Sequence, residues 1–438
     1  MFTNIIKRIK KTPVVLWLLL LACMTIILMM QVHVSGPKIT QLNFQPKENT
    51  VVASFNSLID SSKELRITIE PSLNFDVTLN ANSAYIFPHE PLLQNTKYIV
   101  TFHDVHDMRG KIATSQKSFT TDKARYAYLY RDGTNDDQIR MKYIGEQKEK
   151  VIALLPRIAR YAINEFQEAL VITDEQTPRL SSKLYLASNA STEELVLPDN
   201  QIAIDAISNT FGSLFAVILQ DTKTYENKMY LFNPDQKAFS ELHDVGNNSI
   251  YASSTVFGPD GTTILYQDAR NSTMNILDSL SQRPATNFGV VHKIEQIFNN
   301  GSSILYQSTP GVFMTRNSDG KVSSLLEDIT QSDMNIIKND NVSIALKIYY
   351  ETTSSKISVI KTENGSTTEI LAVNAKDENI RNLKLSHNAE LISVDSVVNP
   401  AQYDKYRLNP KPINNKIKIL NNGGTFLEEV TGSDIVWL

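Results

Sequence analysis

The chain of 438 residues is 42% hydrophobic and 21% charged, which excludes a disordered segment and leaves room for two or three globular domains. A formal net charge of −4 removes the electrostatic basis for nucleic-acid binding, which depends on a basic excess. The single cysteine, Cys23, excludes an intramolecular disulfide framework and by itself assigns no compartment.

Lys7, Arg8, Lys10 and Lys11 precede an almost wholly apolar run over residues 14–30. At ~1.5 Å per residue, and extended through residue 32, the run reaches across a hydrocarbon layer of about 30 Å. The basic flank lies only before it, so residues 1–13 are expected as a cytoplasmic basic tail and 14–32 as a transmembrane anchor. The body is then extracytoplasmic, at the cell surface or in a periplasm. Cleavage as a secretory signal is disfavoured because "MMQVHVSGP" offers no good small-residue cut site and Pro37 obstructs the best one. A second reading takes "LLAC" as a lipobox and Cys23 as a lipidation site. Against it, "MTIILMM" continues the apolar run where a lipoprotein turns polar. Either reading tethers the body to a membrane.

Over residues 37–122 the pattern changes to short runs such as "ITQLNF", "VVASFN", "FDVTLN" and "KYIVTFHDV", each bounded by Asn, Pro, Asp or Gly. Such runs predict a β-sandwich of about seven strands. The segment resembles the bacterial Ig-like modules of S-layer and other envelope proteins. The resemblance rests on Phe55 before Ile59–Asp60, on Pro71, on Phe87–Pro88 and Pro91–Leu92, and then on Asn95–Thr96, Tyr98, Asp107 with Gly110, and Phe119. It implies spacing and adhesion rather than catalysis. The cluster "HDVHD" (residues 103–107) has metal-ligand residue types. On a regular strand His103 and His106 would face opposite sides, so a strand end followed by an Asp-capped turn is the preferred reading.

From residue 125 to 438 the chain repeats at roughly 41–55 residues, a period of repeat architectures. "VFGPDGTTILYQ" lines up with "IFNNGSSILYQ", and weaker copies follow the same order of strand, polar turn and strand. Four short strands per unit predict β-propeller blades. The "GPDG" turn resembles that of TolB-type propellers. The last residues, "GSDIVWL", read as an innermost strand without a blade, and "RYAYLYR" as a second strand without its inner neighbour. Joining them predicts seven blades and removes two exposed sheet edges. Phe232, Phe257 and Tyr266 are expected in the core. Binding is expected on the face carrying the loops between second and third strands, above all the long loop 397–415, where Tyr403, Tyr406 and Arg407 are interface-type residues. Asp132, Asp136 and Asp137 miss the spacing of a calcium loop and are expected to form a solvated acidic turn.

No nucleophile elbow, His-Glu-x-x-His, phosphate loop or paired-Cys motif occurs. The chain is therefore expected to be all-β after one helix: an Ig-like sandwich, then a seven-bladed propeller closed by the C-terminal strand. Catalytic, metal and cofactor sites are expected to be none. The expected role is a membrane-anchored, non-enzymatic scaffold docking an envelope protein. Recognition of cell-wall glycan or peptide is the alternative, and a propeller hydrolase a further one.

Overall fold

The computed structural model describes residues 17, 20–25, 36–45, 50–88, 92–133, 136–174, 181–188, 191–209, 213–244, 246–258, 263–278, 286–298, 303–310, 312–317, 320–324, 336–338, 342–350, 355–363, 366–386, 390–399, 401–404, 411–413 and 415–438. They fall into two compact units, Met1–His89 with Thr96–Thr121, and Glu90–Asn95 with Asp122–Leu438. Of the expected anchor, Trp17 and residues 20–25 are described and are helical, with Cys23 exposed. Thr25 donates its hydroxyl to the Leu21 carbonyl at 2.9 Å, as a helical Thr does. Among the described residues no helix is long and apolar enough to cross a membrane. The tail 1–13 and the rest of the span lie outside them.

The first unit is a seven-stranded sandwich. Ile39–Gln45, Thr50–Phe55, Ser83–Pro88 and Phe75–Asn80 form one sheet in that order, and Arg66–Glu70, Lys97–His106 and Ile112–Thr120 form the other. Alternation along the strands sends Val51, Ala53 and Phe55 from one sheet and Tyr98, Val100 and Phe102 from the other into the shared core. Phe55 meets Phe102 edge-on at 5.0 Å between centroids.

The "HDVHD" segment corrects the parity argument. A β-bulge interrupts the register between Phe102 and Val105, with Asp104 at φ +48°. The extra residue puts Phe102 and Val105 on one buried face, so His103 and His106 both lie on the side away from the core. His103 is within 2.9 Å of the Thr68 hydroxyl. Asp107 is buried and caps the turn. Its carboxylate accepts from the backbone N–H of Arg109 and of Lys111, each at 2.9 Å, and pairs with the Arg109 guanidinium at 2.7 Å.

Among the described residues the second unit contains seven four-stranded antiparallel sheets. Blade 1 joins Ser433–Trp437, innermost, to Arg125–Tyr130, Asp137–Tyr143 and Lys150–Leu155. Blades 2 to 6 are continuous in sequence and begin with the innermost strands Ile158–Ile163, Gln201–Ser208, Ala252–Phe257, Lys293–Phe298 and Ile336–Lys338. Blade 7 runs Glu378–Leu385, Leu391–Val398, Lys416–Asn421 and Phe426–Thr431, with a small hairpin, Gln402–Tyr403 with Pro412–Ile413, inserted between its second and third strands.

Apolar packing between neighbouring blades carries the ring. Leu129 and Ile139 of blade 1 pack with Ile158 and Val171 of blade 2, and Leu170 and Leu184 with Phe215 and Phe232 of blade 3. The next seams join Ala216 and Met229 to Ile250 and Ile264, then Leu265 and Met274 to Ile294 and Ile304. The innermost strands of blades 5 and 6 are direct neighbours. Ile357 and Val359 meet Ile392 and Val394, and Ile417 and Ile419 meet Tyr126 and Trp437, which closes the circle.

The innermost strands of blades 1 to 5 and of blade 7 each carry a register shift, for example between Ile158 and Arg160 and between Ala203 and Asp205. A bulge adds local twist and re-aims side chains. In blades 2 and 3 it accompanies a cross-blade ion pair, Arg160 to Asp205 at 2.8 Å.

Candidate binding face

The loops between second and third strands sit at one end of the blades, with the connections that lead from one blade's outermost strand to the next blade's innermost one. The blade 7 insertion lies on this face and is tied down. Asp404 N–H donates to the Lys411 carbonyl at 2.9 Å and closes the hairpin on itself. Ile413 packs on Gly133 in the blade 1 loop, where φ is +75° and an added Cβ would stand 2.9 Å from the Ile413 side chain. A glycine there satisfies both the left-handed backbone and the close approach. The Lys411 ammonium lies 3.7 Å from the Asp174 carboxylate at the end of blade 2's second strand. The Arg157 guanidinium reaches the same carboxylate oxygen at 3.9 Å. The insertion from blade 7 therefore crosses blade 1 and reaches blade 2.

Beneath it lies a buried lock. Arg131 pairs with Asp137 at 3.0 Å, both side chains 9% exposed. Asp137 also accepts the Ile158 N–H at 2.8 Å, and Arg131 donates to the Ile158 carbonyl. Both backbone groups at the start of blade 2 are thus satisfied by blade 1 side chains, as buried polar groups must be. Burial raises the Asp137 carboxyl above its ordinary range, Arg131 opposes that rise, and the Asp404 charge adds to it. Asp137 is accordingly no part of a solvated acidic turn; only Asp136 of the expected trio is described as exposed.

Of the three expected binding residues, Tyr403 is described. It pairs with Pro412 in the hairpin and is 57% exposed. Tyr406 and Arg407 lie outside the described residues. Asp137 was expected only as part of an acidic turn, and Arg131, Asp174 and Lys411 were not singled out by the sequence. Their only signal was the opposite charge of Arg131 and Asp137 across a short loop. Among the described residues no group of three or more His, Cys, Asp or Glu gathers in a geometry that could hold a metal ion.

The profile of the bacterial Ig-like domain family matches residues 29–121, and this segment is a bacterial Ig-like domain. No curated protein matches the chain. Among solved structures, TolB from Acinetobacter baumannii is similar at 11% identity and a TM-score of 0.39, over 65% of this chain and 78% of that one. The β-propeller domain of the Trilobed protease from Pyrococcus furiosus is similar at 9% identity and a TM-score of 0.45, over 78% and 93%. A periplasmic gluconolactonase from Pseudomonas aeruginosa is similar at 10% identity and a TM-score of 0.41, over 72% and 98%.

Proposed function

We propose that the chain is a non-enzymatic binding protein of a bacterial envelope, tethered by its N-terminal apolar segment with its body outside the cytoplasmic membrane. Its propeller docks a protein partner on the face that carries the blade 7 insertion. The observation that carries this reading is the anchoring of that insertion. A solvated loop would need no ion pair to Asp174 and no seat on Gly133, whereas a preorganised one presents Tyr403 at a low entropic cost on binding. The bacterial Ig-like domain supports an envelope setting. A hydrolase would need two carboxylates open to a substrate. In the closely associated pair Asp395 and Asp434, the former is wholly buried, which counts against a catalytic use of that pair.

The test is a photo-crosslinking amino acid at exposed position 136, in the blade 1 loop of the same face, in intact cells, with and without residues 400–414 replaced by a short Gly-rich link. One discrete adduct is expected, reduced about tenfold or more when the insertion is removed or when Lys411→Ala frees it from Asp174. Only bulk envelope proteins, captured in equal yield by every variant, would refute docking at this face. Lipid labelling of the chain that vanishes in Cys23→Ser would replace the helical anchor with a lipid one and leave the docking proposal standing.

A further inference from the structure

A cleft of about 310 Å³ opens where the connection from blade 3 meets blade 4, on the same face as the blade 7 insertion but lined by none of its residues. The sequence around it, "HDVGNNS" leading into blade 4 and "DARNST" between that blade's second and third strands, is mostly polar. Local bonding shapes it. Asp268, 7% exposed, accepts the Arg270 N–H at 2.8 Å and pairs with its guanidinium at 2.8 Å. The guanidinium is thereby held 4.5 Å above the Tyr251 ring. Asp244 opposite is exposed and ionised, its carboxyl lowered by the backbone and side-chain bonds of Asn248.

Tyr266 lines the cleft and is 5% exposed. Buried phenols ordinarily find a hydrogen-bond partner, yet among the described residues the Tyr266 hydroxyl has none. The side-chain amide nitrogens of Asn271 and Asn287 are likewise unused; their oxygens are taken by the N–H groups of Thr273 and Gly289. Burial, with the charges of Asp268 and Asp244 behind it, pushes the Tyr266 hydroxyl up to about 12, so it stays protonated and able to donate.

The cleft thus presents donors and acceptors together. An anion meets the carboxylate of Asp244, and a cation meets Arg270 while Asp268 is already engaged. A neutral ligand with many hydroxyls uses both kinds of group. From this we infer that the cleft binds a neutral saccharide of one or two rings, with Tyr266, Asn271 and Asn287 donating to its oxygens. The volume falls at the small end of ligand sites, about 300–1,000 Å³, and the polar lining suits a sugar better than an apolar compound. The inference does not rest on the docking reading: cleft and insertion share a face, but the insertion supplies no residue to the cleft.

The test is calorimetric titration of the full chain in a detergent without a sugar headgroup. The probes are chitobiose and cellobiose, with lysinamide and gluconate as charged counterparts. At least one neutral disaccharide is expected to bind, weakened about tenfold in Tyr266→Phe, which removes one hydrogen bond and keeps the ring. Asn271→Ala combined with Asn287→Ala should weaken it further, and unchanged thermal unfolding of each variant separates ligand loss from misfolding. The inference is overturned if neither disaccharide binds below about 10 mM, if Tyr266→Phe binds equally well, or if lysinamide or gluconate is preferred.

Discussion

Deleting Ser433–Leu438 will leave the propeller unable to persist as a folded ring, and Trp437→Ala alone will cost about 3–5 kcal/mol. The terminal strand has no local reason to stay in place. It is held from three blades. Val436 and Trp437 pair with Ala127 and Tyr126, and Leu438 N–H donates to the Arg125 carbonyl at 2.9 Å. From blade 7, the Lys384 ammonium donates to the Ile435 carbonyl at 2.6 Å, and Asp395 accepts the Asp434 N–H at 3.0 Å. From blade 2, the Tyr161 hydroxyl donates to the Asp434 carbonyl at 2.6 Å. Ile435 and Trp437 are buried at the seam, the indole edge-on to Tyr126 at 5.7 Å. A second tie joins blades 7 and 1 further out, where Glu428 pairs with Lys142 at 3.0 Å, both almost sealed from solvent, and accepts from the Tyr126 hydroxyl. Without the terminal strand, the inner edge of Arg125–Tyr130 is exposed along with a flank of blade 7 and invites edge pairing between molecules. Urea unfolding of Trp437→Ala, and size-exclusion with limited proteolysis of the deletion, check this. A deletion variant that remains monomeric and as protease-resistant as the intact chain would show that the ring is held by blade packing alone.

Much of this seam was legible in the sequence. "TILYQ" and "SILYQ" of the two copies lie on second strands of adjacent blades, Thr263–Asp268 and Ser303–Thr309, and "GSDIVWL" supplies the missing inner strand beside Arg125–Tyr130. Repeats are readable because each blade solves the same packing problem with the same period-2 run. The outermost strand of blade 4, Thr286–Val290, was not readable. It is largely exposed and so carries no apolar alternation. Bulges were invisible for a related reason. One extra residue changes parity without changing composition, which is how "HDVHD" came to be assigned the wrong faces. The binding face depended on pairs distant in sequence: Lys411 with Asp174 is set by ring closure, and no local pattern encodes it. Tyr266 was expected as core. It is buried as expected, but its ring also forms the cleft wall and its hydroxyl is left to the cleft.

At the same seam, Asp395→Asn will remove a pH dependence of stability worth about 2.4 kcal/mol between pH 4 and pH 7.5. Asp395 lies on the second strand of blade 7 and is 0% exposed. One carboxyl oxygen accepts from the Asn382 amide at 2.8 Å and from the Asp434 N–H, while among the described residues the other has no partner. Burial, and then the nearby Asp434 charge, push the carboxyl up to about 6, against the pull of those two bonds and of Lys384. In an unfolded chain the group titrates near about 3.9. The folded state therefore binds the proton more tightly, so this contribution to stability is full well below about 3.9, still mostly present at pH 4, and lost as pH rises through about 6. The amide keeps the acceptor but places an N–H₂ where the unpartnered oxygen sits, a cost of about 1–3 kcal/mol that does not vary with pH. The variant should thus be the weaker protein at pH 4, and should draw level with the parent or overtake it at pH 7.5. Paired urea titrations at the two pH values decide the matter. Parallel curves, with the same stability difference at both, would mean that Asp395 is ionised throughout and that Lys384, rather than a proton, balances its charge at the closing strand.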